Sequence, residues 1–407
     1  MTPVRAVLAV LVVSLSARLS AQSAAQSPTL PARPALDSGA DTNSFAAYVL
    51  WGSRHIRLDP IAAANAFYWA SRIDPTAPVP LYARAVALLI SDPYRLVKWA
   101  DEDSRVMRSP EIHAIDSLRY RAMTLNPFLH TALDQVLMDR YLAALIGNQT
   151  GGNDDASDEV ADMEREMQSI QDPNLRGWLA TTHGDGPGAV AAYHEQVRRH
   201  RRDPEARADL AYGFVLSGRL DSARAELEES IALARAQDTT HVVPVYESKE
   251  MREFQLGYLC ELTGDTTAAR TAYQSALTEN LAFSPAHVRL GMLAIVAADT
   301  ATAIREFQAA VDVRDDDAYA QLLLGYMDAA SHKLDDAITH LARASALEPF
   351  WPQPVGALGR VQQAAGRHAD ALATFQHFLA IAPADSPLRE DISRRVAALT
   401  APPAPSP

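Results

Sequence analysis

The sequence has a single cysteine, Cys260, among its 407 residues. One thiol cannot close an intramolecular disulfide, nor can it supply a cysteine-rich zinc site. Basic residues are also scarce, with 37 Lys and Arg against 50 Asp and Glu, so the formal net charge is −13. A chain of this charge is poorly suited to the phosphate backbone of nucleic acids. We therefore expect neither a disulfide-stabilised fold nor a nucleic-acid partner.

An apolar run near the N-terminus, residues 6–15, has ten residues and is too short to cross a bilayer. Arg5 precedes this run and small residues follow it up to Ala21, which is the layout of a secretory signal peptide. The alternative is a buried N-terminal helix, which the lack of a polar face disfavours. We predict that residues 1–21 are a signal peptide, that the protein is exported and periplasmic or secreted, and that the mature chain has no transmembrane segment.

Three stretches of biased composition divide the rest of the chain. Residues 22–42 are rich in Ser, Pro and Ala and predict a disordered linker, and the Pro-rich tail 401–407 cannot hold a helix. Residues 147–157 combine Gly, Asn and Asp and predict a flexible loop. This loop separates an N-terminal helical block, 43–146, from a longer region, 158–385.

Signatures of catalysis are missing from the sequence. His194 and Glu195 open the stretch HEQVRRH, but its second histidine comes six residues after the first, whereas two metal ligands on one helical face need a spacing of four. The sequence contains no nucleophile elbow, phosphate-binding loop or dinucleotide motif. We therefore expect no enzymatic activity, no cofactor and no metal. The alternative is an enzyme with an unrecognised site in the N-terminal block, which contains His55, His113 and His130.

The region 158–385 is built on an internal repeat. Alanines recur at intervals of 34 residues, with one interval of 46, and a small residue and a bulky apolar residue keep the same phase. The alanines are Ala189, Ala223, Ala269, Ala303, Ala337 and Ala371. The small residues are Gly177, Ala211, Gly257, Gly291, Gly325 and Gly359, and the bulky residues are Tyr193, Leu227, Tyr273, Phe307, Leu341 and Phe375. We call each such set of equivalent positions a column. Because several columns recur with the same spacing, the region contains six copies of one structural unit.

A period of 34 with the pattern L-G…A-x-x-x-F…P resembles the tetratricopeptide repeat over residues 170–383, slightly more than half of the chain. Together with the predicted signal peptide, this makes the protein resemble an exported bacterial member of that family. The resemblance implies an all-α fold, a right-handed superhelical solenoid of helix–turn–helix units. The irregular interval places an insertion at 238–249, and residues 386–400 predict a polar capping helix. One or two degenerate units are expected within 43–146, the first of them over about residues 44–77. Helices without the repeat pattern are predicted over 112–124 and 128–146.

The turn between the two helices of a unit falls on a glycine in four units. These are Gly184, Gly218, Gly264 and Gly366, each suited to the left-handed conformation that ends a helix. Ala298 and His332 occupy this position in the other two units, so we expect those two turns to close differently.

The family resemblance implies a non-enzymatic protein–protein interaction scaffold that holds a peptide or an amphipathic helix in the concave groove of the array. An alternative is a structural accessory subunit of a cell-envelope assembly, secretion or pilus machine. The oligomeric state is left open.

The helix geometry predicts which residues line that groove. A residue directly after the Gly or Ala column is rotated by about 100° from it, toward the groove. This column and the one a turn earlier supply the candidates Trp178, Tyr212, Phe254, Tyr258, Val288, Met292, Leu322, Tyr326 and Arg360. Most of them are aromatic or aliphatic, which predicts an apolar groove with Arg360 at one end. The alternative is that these side chains pack between helices.

Overall fold

The computed structural model describes residues 30–37, 44–100, 110–129, 171–238, 249–384 and 386–400, with residues 136, 137, 140, 143 and 165. The predicted signal peptide, the loop 147–157, the tail 401–407 and all but the ends of the insertion lie outside these residues. The chain divides into two units, Met1–Ala32 and Arg33–Pro407. Of the first unit, residues 30–32 are described, and they are not helical.

The second unit is all-α over its described residues, as predicted. Its N-terminal block contains α1 (Phe45–His55), α2 (Pro60–Ile73), α3 (Pro78–Ile90), α4 (Pro93–Ala100) and α5 (Pro110–Leu125). The repeats contain α6 (Pro173–Thr182), α7 (Gly186–Arg199), α8 (Pro204–Leu216), α9 (Leu220–Asp238), α10 (Lys249–Leu262), α11 (Thr266–Glu279), α12 (Ser284–Val296), α13 (Thr300–Val313), α14 (Ala318–Ala330), α15 (Leu334–Leu347), α16 (Pro352–Ala364) and α17 (His368–Ile381). The chain ends with α18 (Arg389–Thr400) at the position of the predicted capping helix.

Aspartates begin many of these helices, which gives the acidic surplus a structural use. The side chains of Asp185, Asp265 and Asp299 each accept a hydrogen bond from the backbone N–H three residues later. Such caps satisfy donors that the first turn of a helix leaves free, and each contributes about 1 kcal/mol. Asp172 caps α6 in the same way, and Asp203 caps α8 by accepting from the N–H of Glu205, two residues later; both helices have proline in the first turn.

The two helices of each unit pack through the small and bulky columns. A Cβ atom added to Gly257 would lie 2.5 Å from the ring of Tyr273, and one added to Gly291 would lie 2.5 Å from the ring of Phe307. The first helix therefore approaches the second so closely that only glycine fits over an aromatic ring. The bulky residue thus fills a gap between the two helices of its own unit.

The turns at Ala298 and His332 close in the same way as the glycine turns, so our expectation of a different turn was wrong. Their φ angles are 56° and 60°, in the left-handed region, where the four turn glycines also lie. The backbone hydrogen bonds correspond too, since Ala298 N–H donates to Ile295 and Gly218 N–H donates to Val215, both at 2.9 Å. The surrounding turn imposes this conformation on residues that disfavour it.

The N-terminal block begins with a helix pair that follows the rules of the repeats. Helices α1 and α2 cover the degenerate unit predicted near residues 44–77, and a Cβ atom on Gly52 would lie 2.7 Å from the ring of Phe67. Helix α5 covers the predicted helix 112–124. A further helix was predicted over 128–146; Phe128 lies in a turn, and most of that segment is outside the described residues.

Candidate partner-binding groove

The first helices of the repeats carry the predicted groove residues, and the N-terminal block lies against them. The contact comes from α5 and the turn that follows it, at residues 126–129. We call the surface that they contact, formed by Tyr212 of α8, Tyr258 of α10 and the adjoining part of α12, the groove face. The segment comprising residues 110–129 is called the docked segment below.

Phe128 is the centre of this contact. Its ring lies 6.2 Å from the ring of Tyr212 and 6.4 Å from that of Tyr258, measured between centroids. The side chain of Asn126 accepts a hydrogen bond of 2.9 Å from the N–H of Phe128, which shapes the turn after α5. Phe128 is only 5% exposed. One aromatic side chain of the docked segment therefore covers two of the predicted groove tyrosines.

Two further apolar side chains of the docked segment pack into the cores of the repeats. Met123 packs against the cluster that contains Phe254 and Leu290, and Leu125 packs against the cluster that contains Val288 and Leu322. Burial of such side chains contributes roughly 1.5–3 kcal/mol each when complete. The groove face is therefore already in contact with an apolar helix.

Polar contacts join the docked segment to the connection between α13 and α14. His113 Nε2 lies 2.8 Å from a carboxylate oxygen of Asp316. The guanidinium of Arg314 lies 3.9 Å from the ring centroid of Tyr120, and its Nη2 donates a hydrogen bond of 3.2 Å to Ser117. The cationic neighbours hold the pKa of Asp316 below its usual range, against the opposing effect of partial burial. This end of the contact is electrostatic, whereas the Phe128 end is apolar.

Helix α5 has a second apolar side that holds it to its own block. Ile115, Leu118 and Ala122 belong to the same buried cluster as Leu81 and Val86 of α3. A helix that is apolar on two sides is buried between two partners. The docked segment therefore joins α3 on one side to the groove face on the other.

The predicted groove residues separate into two groups. Trp178, Tyr212, Tyr258, Met292, Tyr326 and Arg360 are partly exposed. Phe254, Val288 and Leu322 are instead buried, with 0%, 1% and 4% exposure while the docked segment is in place. These three residues therefore belong to the core beneath the groove face and not to its exposed surface, where the prediction had placed them. Phe254, for example, packs against the rings of Tyr273 and Phe283 at 5.3 and 5.4 Å. These three residues lie one helical turn before Tyr258, Met292 and Tyr326, respectively. We call the position of Tyr258, Met292 and Tyr326 in each repeat the outer column.

An ion pair between Arg289 and Glu261 lies next to Tyr258 of the groove face. Arg289 donates hydrogen bonds of 3.1 and 2.6 Å to the two carboxylate oxygens of Glu261, and its guanidinium lies 5.3 Å from the ring centroid of Tyr258. Its Nε also lies 3.4 Å from the hydroxyl of Tyr273. Burial raises the pKa of Tyr273 and of Tyr258, so both phenols are neutral at physiological pH. The side chain that Tyr258 contributes to the groove face is therefore uncharged.

Two of the three histidines in the proposed enzyme alternative, His55 and His113, have partners in the structure. His55 stacks on Trp51 with ring centroids 3.9 Å apart, and His113 pairs with Asp316 as described above. His130 lies outside the described residues. Within the described part of the chain, no group of three or more His, Cys, Asp or Glu side chains is arranged to hold a metal ion. Cys260 is buried in the core, and burial raises the pKa of its thiol, in line with a packing role.

The occupant of the groove face was not recognised from the sequence. The feature of the sequence that could have revealed it is a second set of apolar side chains on α5, at Tyr120, Met123 and Leu125. This set lies beside the apolar side chains of α5 that pack on α3. Among the described helices, none combines the length and apolar character that crossing a membrane requires.

Comparisons with known proteins agree with the repeat architecture. Residues 288–354 match the family model described as tetratricopeptide repeat. No curated protein matches the sequence. Among solved structures, YrrB, described as a TPR protein with an unusual peptide-binding site, has 17% identity and a TM-score of 0.42, and the match covers 51% of this chain and 100% of YrrB.

Two other solved structures have similar values. The C-terminal part of a TPR repeat-containing protein from Cytophaga hutchinsonii has 12% identity and a TM-score of 0.44, covering 55% of this chain and 94% of its own. MamA from Desulfovibrio magneticus has 19% identity and a TM-score of 0.37, covering 45% of this chain and 97% of its own.

Proposed function

We propose that this chain, which belongs to the tetratricopeptide repeat family, is a non-enzymatic protein–protein interaction scaffold whose groove face binds an amphipathic helix or apolar peptide of a partner protein. The observation that carries the proposal is that Phe128 is seated on Tyr212 and Tyr258. The groove face accepts an apolar helical segment in the geometry seen here. A partner helix would contact the same tyrosines and would compete with the docked segment.

The aromatic character of the face suits this role. Tyrosine supplies a large contact area with little loss of side-chain freedom and is enriched at the energetically dominant positions of interfaces. Helix-in-groove recognition depends on apolar side chains at helical spacing, which Tyr120 and Met123 provide on α5. Phe128 adds its ring from the turn that follows this helix. A partner helix would need comparable apolar side chains.

Competition with the docked segment sets the affinity that an outside partner can reach. A segment tethered within the same chain acts at an effective concentration that reaches the millimolar range. A partner must therefore bind the groove face better than the docked segment does, or the docked segment must first be loosened. Access to the groove is thereby linked to the position of the N-terminal block.

A binding experiment on the full chain tests this proposal. The probe is a labelled synthetic peptide of residues 110–129, and its binding is followed by fluorescence anisotropy. We expect weak binding to the unmodified protein. Phe128→Ala in the protein removes a buried ring at a cost of about 2–4 kcal/mol to the internal contact, so the peptide should bind at least about tenfold more tightly.

Matched variants distinguish the groove from other surfaces. Tyr212→Ala in the Phe128→Ala background should weaken peptide binding, and so should a peptide that carries the Phe128→Ala change. Leu281→Ala, which alters an apolar side chain that is 75% exposed outside the groove face, should leave binding unchanged. Equal binding by Phe128→Ala and by the double variant would show that the peptide binds elsewhere and would overturn the proposal.

We also propose that the protein is exported and acts in the periplasm or outside the cell. The support for this is the sequence of residues 1–21, with Arg5 before an apolar run and Ala21 at its end. Fractionation of bacterial cells tests it, with the full chain compared to a chain that lacks these residues. Export of the full chain with loss of about two kilodaltons is expected, and retention of the full chain in the cytoplasm would contradict it.

A further inference from the structure

Three arginines converge at the contact between the N-terminal block and the C-terminal repeats. Arg72 of α2, Arg84 of α3 and Arg121 of α5 line a cavity of about 20 Å³, and Trp351, just before α16, forms another wall. A space of this size holds one small ion or one water molecule.

The charges around this cavity are not balanced. Glu348 is the one carboxylate among the described residues that line it, against the three guanidinium groups. The arginines lie on aromatic faces instead, with Arg84 at 4.8 Å from the ring centroid of Tyr68 and Arg121 at 4.5 Å from that of Trp351. Aromatic faces attract cations, but they do not accept the hydrogen bonds of all the N–H groups.

Several donors at the cavity are buried without an acceptor among the described residues. Arg72 is 4% exposed, and its Nη2 donates to the carbonyl oxygen of Ile381. Its Nε and Nη1 lack an acceptor at hydrogen-bonding distance and angle, as do Nε of Arg121 and the indole Nε1 of Trp351. The hydroxyl of Tyr68, which also lines the cavity, is likewise buried without a hydrogen-bond partner among the described residues. A buried donor that lacks an acceptor costs about 1–3 kcal/mol, and more when it is charged. The cavity therefore needs an acceptor.

A water molecule satisfies such a site poorly, because it accepts about two hydrogen bonds and must donate two of its own. The walls offer mainly donors, and the net charge of the lining side chains is positive. An anion accepts from all of the donors and also compensates the charge. We propose that the arginine site, formed by Arg72, Arg84, Arg121 and Trp351, binds one compact monovalent anion such as chloride.

The burial of the arginines also favours a bound anion. It lowers the pKa of Arg72 and of Arg84, because surroundings of low polarity disfavour the charged form. A bound anion counteracts this effect. Since the lining residues come from α2, α3, α5 and the connection before α16, the anion would also hold the N-terminal block to the C-terminal repeats.

The first test is an unfolding titration of the full chain. Chloride replaces gluconate at constant ionic strength, because gluconate is too large for the cavity. Above the dissociation constant, each tenfold rise in chloride should raise the folding equilibrium constant about tenfold. Formate, as a small carboxylate, and bromide should act like chloride. A folding equilibrium constant that is independent of chloride would overturn the proposal.

Variants and a location measurement complete the test. Arg84→Met should abolish the chloride dependence, whereas Arg305→Met, at an exposed arginine of α13, should retain it. A crystal of the unmodified protein in bromide should show an anomalous peak within hydrogen-bonding distance of Arg72 and Trp351. Water density at this position, or bromide bound only at other sites, would refute the proposal even if Arg84→Met fails to fold. The readout is independent of the groove, so this proposal and the proposed function can fail separately.

Discussion

Ala298 and His332 hold the left-handed conformation that glycine holds in the other turns of the repeats, and this allows a quantitative prediction. Their φ angles are 56° and 60°. A residue with a Cβ atom pays about 1–2 kcal/mol in this region. Glycine removes that cost, but it lowers the free energy of unfolding by about 0.4–1 kcal/mol because the unfolded chain gains conformational freedom. Ala298→Gly should therefore stabilise the protein by about 0.5–1 kcal/mol, and His332→Gly by a similar amount.

The neighbouring residue supplies the matched control. Ala297 has a φ of −81°, so Ala297→Gly gains nothing from relief of strain and should destabilise the protein by about 0.4–1 kcal/mol. The reverse change, Gly264→Ala, meets no atom within 4 Å of the new Cβ. Its net cost of about 0.5–1 kcal/mol should thus report the backbone conformation without a contribution from steric clashes.

Urea unfolding followed by circular dichroism measures these differences. With a slope of about 1–3 kcal/mol/M, a change of 1 kcal/mol moves the midpoint by roughly 0.3–1 M. The comparison requires an unchanged slope, since repeat arrays can unfold in more than one step. Equal effects of Ala297→Gly and Ala298→Gly would refute the conformational reasoning.

Three further predictions concern packing, pH and charge. Gly257→Ala should cost about 2 kcal/mol in urea unfolding, because its Cβ atom would lie 2.5 Å from the buried ring of Tyr273. Burial raises the pKa of Asp209 to about 6, so the folded state binds the proton more tightly than the unfolded state. The free energy of unfolding should therefore fall as the pH rises from about 4 to about 6. Asp209→Asn should remove that fall. Glu261→Gln should cost about 2–3 kcal/mol, because it leaves the buried Arg289 without its anionic partner.

The controls for these predictions come from the chain itself. In the second repeat the equivalent pair is Ala211 with Leu227, so Tyr273→Leu should recover most of the stability that Gly257→Ala loses. Failure of this rescue would contradict the packing argument. Similarly, Glu261→Gln combined with Arg289→Met should cost less than Glu261→Gln alone. A pH dependence that is identical with and without Asp209 would contradict the assignment to its carboxyl group.

The repeats could be predicted from the sequence because their contacts are local and periodic. Each Gly257-type position meets its bulky partner 16 residues later, within one helix pair, so the period of 34 reports the packing directly. The turn at Ala298 could not be predicted from residue preferences, since the hydrogen bonds of the turn impose its conformation.

The docking of the N-terminal block could not be predicted in the same way. Phe128 meets Tyr212 and Tyr258 across a long and partly undescribed stretch of chain, and one sequence contains no periodic signal for such a contact. The outer column did identify partly exposed aromatic residues on the first helices, but it did not show that a segment of the same chain contacts them. The predicted groove residues included the buried Phe254 because it lies one helical turn before the partly exposed Tyr258.

The central claim is that the groove face binds apolar helices and that the docked segment competes for it. A photo-crosslinking phenylalanine derivative in place of Tyr212 tests this claim most directly, with mass spectrometry to locate the products. In the free full chain, we predict crosslinks to residues 126–129. In the Phe128→Ala background with a saturating peptide of residues 110–129, we predict that the crosslinks move to the peptide. Crosslinks that remain on residues 126–129 of the protein while the peptide is bound would contradict the account.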